Sequence, residues 1–168
     1  MRRAGAKRVA LLGMLFALAM ALSFLEGLVT PLLGLPPGVK PGLANVVVMY
    51  ALLFLGLRDA LALTVLKSGF VFLLQGASAA CLSLAGGLCA ALVMALAHRL
   101  KATLMIQSSL GAIAHNLAQL AVVGLMFTQS VYTIYYAPVL LISGLVMGAA
   151  TAGTLKALLP ALKKISRN

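Results

Sequence analysis

The chain has 168 residues, of which 63% are hydrophobic and 9% charged, with a formal net charge of +11 and a mean hydropathy of +1.13. A soluble domain of this length has no interior large enough to hide that much apolar surface, which excludes a water-soluble enzyme. The apolar runs are continuous rather than alternating, which argues against a β-barrel. The composition predicts an all-α integral membrane protein with a single membrane domain over residues 1–168.

A net charge of +11 would point to nucleic acid in a soluble protein. Here the basic residues cluster at the ends of apolar runs, so membrane topology explains them and no nucleic-acid partner is expected. Arg2, Arg3, Lys7 and Arg8 precede an apolar run that predicts a first helix over 9–29. The run is too long for a signal-peptide core and no small-residue cleavage site ends it. Gly13, Ala17 and Ala21 form a row of small residues at four-residue spacing. Such a row lets a second helix approach closely, either inside the bundle or from a separate subunit. Glu26 lies near the far end of this helix.

Thr30 to Pro41 contains Pro31, Pro36, Pro37 and Pro41 with Gly34 and Gly38, a composition that stops a helix and suits a lid-like loop. Pro41 fits the first turn of a second helix, over 41–56, which places Lys40 just outside it and Asn45 in its first turns. Arg58 and Asp59 close that helix, and Asp59 is expected to cap a third, over 60–74, with Lys67 near its middle and Gln75 at its end. A lysine at that depth cannot easily reach either surface. A fourth helix over 81–97 carries Ser83, Gly86 and Gly87. Its cysteines, Cys81 and Cys89, are read as small buried hydrophobes, and with no His or carboxylate beside them no metal site is expected. His98, Arg99 and Lys101 follow.

The fifth helix, over 108–127, is the segment around which the others are arranged. It is nearly all apolar, yet His115, Asn116 and Gln119 sit at its centre. His115 and Gln119 are four apart and share a face, with Asn116 beside them. Polar groups at that depth must find a partner or line a cavity. Two readings are open: hydrogen bonds between helices that hold a bundle together, or the wall of a solute pocket. Thr128 to Thr133 predicts a short polar turn. A sixth helix over 135–155 has Pro138 in its first turn and a second small row at Gly144, Gly148 and Ala152, and Pro160 with Lys163, Lys164 and Arg167 ends the chain.

Six membrane-crossing helices put both termini on one side. The amino-terminal tail, Arg58, Arg99, Lys101, Lys156 and the carboxy-terminal tail all fall there, against Lys40 alone among basic residues on the other. The positive-inside rule makes both termini cytoplasmic. Glu26 and Asp59 are the only acidic residues, so no carboxylate pair exists for acid–base catalysis or for Mg²⁺, and there is no phosphate-binding glycine loop. No cofactor and no catalytic activity of its own are expected. What remains is a polar set of Glu26, Lys40, Asn45, Lys67, Gln75, His115, Asn116 and Gln119, in which lysines outnumber the carboxylate. Such a set favours an anionic or strongly hydrogen-bonding solute. The alternative for Lys67 is an internal ion pair with Glu26, and for Lys40 a solvated loop charge or a lipid contact.

Lys40-Pro-Gly-Leu-Ala-Asn45, Ser83-Leu-Ala-Gly-Gly87, His115-Asn-Leu-Ala-Gln119 and Pro138-Val-Leu-Leu-Ile-Ser-Gly144 together resemble the Gx transporter family, also called heptaprenyl diphosphate synthase component I. That family is similar to the substrate-binding S components of energy-coupling factor (ECF) importers. The resemblance covers about residues 9–155. It implies a six-helix bacterial membrane protein with its solute pocket under the loop between the first two helices. It also implies that Gly13, Ala17 and Ala21 dock a transmembrane coupling subunit driven by ATPases, although the family's alanine row begins here with glycine. The synthase name implies prenyl-chain synthesis, but the aspartate-rich motifs of a prenyltransferase are absent. Under that name the chain would be a non-catalytic membrane partner.

Overall fold

A computed structural model describes residues 2–32, 43–128 and 135–167 of the chain. These residues form α1 (Arg2–Leu32), α2 (Leu43–Phe54), α3 (Leu57–Gln75), α4 (Ala77–Arg99), α5 (Leu104–Val122) and α6 (Ala137–Arg167), with a π-helical segment, Val123–Thr128, continuing α5. Among the described residues there is no strand. Segments of α1, α4, α5 and α6 are long and apolar enough to cross a membrane: Ala6–Glu26, Ala77–Arg99, Leu104–Met126 and Ala137–Pro160. The protein is membrane-embedded.

The two other helices depart from that pattern for different reasons. α3 carries Arg58, Asp59 and Lys67 in its 19 residues, too much charge for a purely apolar span. α2 has only 12 residues, about 18 Å of helix. Apart from Asn45 in its first turn its sequence is apolar all the way round, and every residue from Val46 to Leu52 is buried. A helix without a polar face belongs in a core, and α2 accordingly touches α1, α3, α4 and α6. Leu15, Ala19, Leu63, Ala90, Met94 and Leu155 from the surrounding helices close on it.

The turns at the two ends of α3 are tight. Gly56 (φ 102°) precedes it, and Gly76 (φ 87°) alone separates it from α4. Both lie where a side chain would clash with its own backbone, so glycine is required. α4, α5 and α6 then pack side by side through small residues. A side chain at Gly144 would sit 3.0–3.1 Å from Ile113, and one at Gly148 would run into the backbone of Ser109. The second small row is therefore a seam within the molecule that brings α6 onto α5.

Several element boundaries differ from expectation. α1 continues to Leu32, through the start of the proline-rich stretch. α3 and α4 each begin earlier than 60 and 81. α5 begins at Leu104, because Thr103 caps it by accepting a hydrogen bond from the Ile106 amide (3.4 Å), and the polar Gln107 and Ser108 lie inside its first turns. Pro160 does not end α6, which runs to Arg167; the carbonyl deprived of its helical donor belongs to exposed Lys156, where the loss is smallest. Cys81 and Cys89 are exposed on the bundle surface rather than buried. The Thr128–Thr133 turn falls almost entirely outside the described residues.

Asp59 does not cap α3, since Gly56 holds that position. It sits in the first turn, buried, and accepts two hydrogen bonds from Arg8 of α1, Nε to Oδ2 at 2.9 Å and Nη2 to Oδ1 at 2.8 Å. This forked, charge-assisted pair fixes the first helix against the third. Arg8→Ala would remove the partner of the buried carboxylate and is expected to lower the melting temperature. Adding Asp59→Asn should recover part of that loss, as read by thermal melts of the two variants in detergent.

Candidate functional site

α5 is the wall of the site, and glycines set its distance from α4. A side chain at Gly86 would come within 2.8 Å of the His115 ring and 3.0 Å of Gln119 Cγ, and one at Gly87 within 2.5 Å of Thr64 Cγ2. The ring of His115 therefore occupies the space that the missing side chain leaves. Across the bundle, Lys67 of α3 donates from Nζ to Asn45 Oδ1 of α2 at 3.1 Å. Asn116 Nδ2 donates to the Leu140 carbonyl (3.0 Å) and to Ser143 Oγ (3.3 Å) of α6, and Gln119 Nε2 donates to the Leu82 carbonyl of α4 (3.4 Å). Ser68 Oγ of α3 lies 3.3 Å from Ser83 Oγ of α4. A layer of polar contacts thus crosses the bundle at one depth.

That layer surrounds a cavity of about 60 Å³. Its outer part is lined by Glu26, Asn45, Lys67, His115, Asn116 and Gln119. Its inner part is lined by Ala90, Met94, Ser108, Gly111, Ala112, Met147 and Thr151. Between Ser108 and Gln119 the wall follows α5 for about 16 Å, so the space is long and narrow. It has room for a few water molecules. Six of the residues singled out in the sequence, contributed by α1, α2, α3 and α5, therefore meet at one place. The two readings of His115, Asn116 and Gln119 are not exclusive: Asn116 and Gln119 join helices through their amide groups and also face the cavity.

Two of the expected site residues are elsewhere. Gln75 is exposed at the end of α3 and does not line the cavity, because the helix carries it two turns beyond Lys67. Lys40 lies outside the described residues. Among the described residues the cavity wall holds one carboxylate, Glu26, and one ammonium, Lys67, so the expected excess of positive charge depended on Lys40. Gly13, Ala17 and Ala21 are all exposed, and nothing lies within 4 Å of a side chain built at Gly13. The row is not a packing seam among the described residues. Sequence reasoning missed Met94, Ser108, Met147 and Thr151. Ser108 and Thr151 are buried hydroxyls with no charge to flag them, and the methionines look like ordinary core. Among the described residues no group of three His, Cys, Asp or Glu could hold a metal ion.

Long apolar helices packed around a cavity with polar groups in its wall define a helical membrane protein with an internal cavity. The chain belongs to the heptaprenyl diphosphate synthase component I family, whose family model matches residues 15–158. No curated protein and no solved structure matches it.

Gly86→Ala is expected to displace the His115 ring and destabilise the bundle by about 1–3 kcal/mol. The Gly86→Ala/His115→Ala pair should be more stable than the sum of the single changes, because the smaller residue vacates the clash. Melting temperatures of the three variants measure this.

Proposed function

We propose that this chain is the solute-binding membrane subunit of an ECF-type importer, taking up a small anionic or vitamin- or cofactor-like solute across the bacterial cytoplasmic membrane. The observation that carries this reading is the convergence of Glu26, Asn45, Lys67, His115, Asn116 and Gln119 on one cavity. Isolated polar residues in apolar helices need only a partner each, whereas a shared, partly vacant space between them suits a ligand that supplies partners. In this reading all six helices cross the bilayer, with both termini in the cytoplasm, and the exposed row Gly13, Ala17 and Ala21 docks a coupling subunit driven by ATPases. The cavity has room for only a few waters as it stands, so anything the size of a vitamin requires the walls to part on binding.

The family name supports a second reading, a non-catalytic membrane accessory subunit of heptaprenyl diphosphate or quinone synthesis. Both readings leave the chain without catalysis of its own. Its acids are Glu26 and Asp59, and Asp59 is held by Arg8. Native mass spectrometry of the gently purified protein separates the two: retention of a small polar solute supports the importer, and retention of a prenyl diphosphate or a synthase subunit supports the accessory role.

Lys67→Ala is expected to weaken binding of the retained solute by about 5- to 150-fold, and more than Lys40→Ala, because a desolvated charge contact exceeds a screened one. Normal retention by Lys67→Ala and His115→Ala, with only a lowered melting temperature, would show that these residues serve structure alone. Ala17→Leu should abolish capture of a coupling subunit in a pull-down while leaving solute retention intact. For topology, an impermeant thiol reagent on whole cells should label Gly38→Cys and not Lys101→Cys, in a background with Cys81 and Cys89 changed to Ala.

A further inference from the structure

The inner end of the cavity has a property that its outer end does not explain. Four hydroxyl groups on these helices bond to the preceding turn. Thr64 Oγ1 donates to the Ala60 carbonyl, Ser68 Oγ to Thr64, Ser143 Oγ to Leu140 and Thr154 Oγ1 to Ala150, at 2.9–3.0 Å. Ser108 and Thr151 differ. They are 3% and 5% exposed, both line the cavity, and no side-chain hydrogen bond to either occurs among the described residues. They sit at the same level on facing helices, since Gly148 of α6 abuts Ser109 of α5. One residue before Ser108, the Oε1 of buried Gln107 also has no partner among the described residues.

Neither oxygen is among the sealed-off polar atoms without a partner, so both hydroxyls open onto the cavity and are available to bond to whatever occupies it. The lining residues nearest them along α4, α5 and α6 are Met94, Gly111, Ala112 and Met147, none of them charged. A charged ligand group would lose its hydration without gaining a counter-charge. The methionine thioethers are soft, adaptable surfaces suited to a flat or unsaturated group. We infer that Ser108 and Thr151 form a second, inner subsite that takes an uncharged, hydrogen-bonding end of the solute, and that water holds this subsite when no solute is bound. The inference rests on the reading that the cavity binds a solute. It narrows the solute to a two-ended molecule, charged or zwitterionic where it meets Glu26 and Lys67 and neutral where it meets Ser108 and Thr151.

The test uses the full chain in lipid nanodiscs and hydroxyl radicals generated from water by X-ray radiolysis. Met49 and Met94 are almost equally enclosed, at 0% and 4% exposure, but only Met94 faces the cavity. With water at the inner subsite, Met94 and Met147 oxidise several-fold faster than Met49. Equal, slow oxidation of the three in the unaltered protein would show a dry inner end and overturn the inference, with no variant involved. In Ser108→Ala/Thr151→Val, whose melting temperature is recorded alongside, oxidation of Met94 should fall towards that of Met49; unchanged fast oxidation would also overturn it. The solute arm compares native mass spectra: the species retained by the unaltered protein should be lost from the double variant by about 5- to 150-fold, and full retention would overturn the assignment of its neutral end. If the unaltered protein retains no solute at all, the importer reading and the solute part of this inference both fall, while the radiolysis still decides whether the inner hydroxyls hold water.

Discussion

Everything in this molecule depends on how closely α5 can approach its two neighbours. Gly86 of α4 leaves room for the His115 ring, Gly111 of α5 for the side chain of Met94, and Gly144 and Gly148 of α6 for the α5 backbone at Ile113 and Ser109. In an apolar solvent the hydrophobic effect does not drive helices together, so association comes from dispersion contacts and hydrogen bonds. Both need short distances. With a methyl group at these positions the helices would stand further apart, and the hydrogen bonds from Asn116 to α6 and from Gln119 to α4 would be out of reach.

The same hydrogen bonds give the cavity its character. Asn116 and Gln119 each commit amide hydrogens to a neighbouring helix, and Lys67 commits its ammonium to Asn45. A polar side chain in an apolar medium is destabilising unless satisfied, so these contacts serve stability before they serve any ligand. They also hold the side chains in fixed positions around a shared space, which is what a selective site requires. The groups that satisfy one another are thus also groups that line the cavity, and α2 provides the rigid support. Buried on every side from Val46 to Leu52, it presents Asn45 from its first turn directly to Lys67.

Charge distribution separates the two ends of the molecule. Asp59 is neutralised by the forked contact with Arg8, leaving Glu26 as the carboxylate that faces the interior cavity. A lone carboxylate beside one lysine, with amides and an imidazole around them, offers opposite charges and many hydrogen-bonding groups but no acid–base pair of carboxylates and no metal-binding cluster among the described residues.

The sequence by itself determined the class of protein and the number and order of helices, because continuous apolar runs and proline- or glycine-rich breaks are local signals. It also identified most of the outer cavity wall: a His, Asn, Gln, Lys or Glu inside an apolar run is conspicuous because water is absent there. Two of the family motifs contain Asn45, His115, Asn116 and Gln119. Helix ends were less legible, since Thr103 caps α5 ahead of two polar residues that look like a boundary, and Pro160 is tolerated where the helix nears its end. Tertiary structure alone decided that Asp59 pairs with Arg8, fifty-one residues away, that one small row is an internal seam while the other faces outward, and that Gln75 is remote from Lys67's cavity. It alone brought Ser108 and Thr151 to face one space. A serine or threonine in a helix carries no sequence mark of whether its hydroxyl bonds to the turn before it or to something across the bundle, because that choice depends on what the neighbouring helices place opposite it.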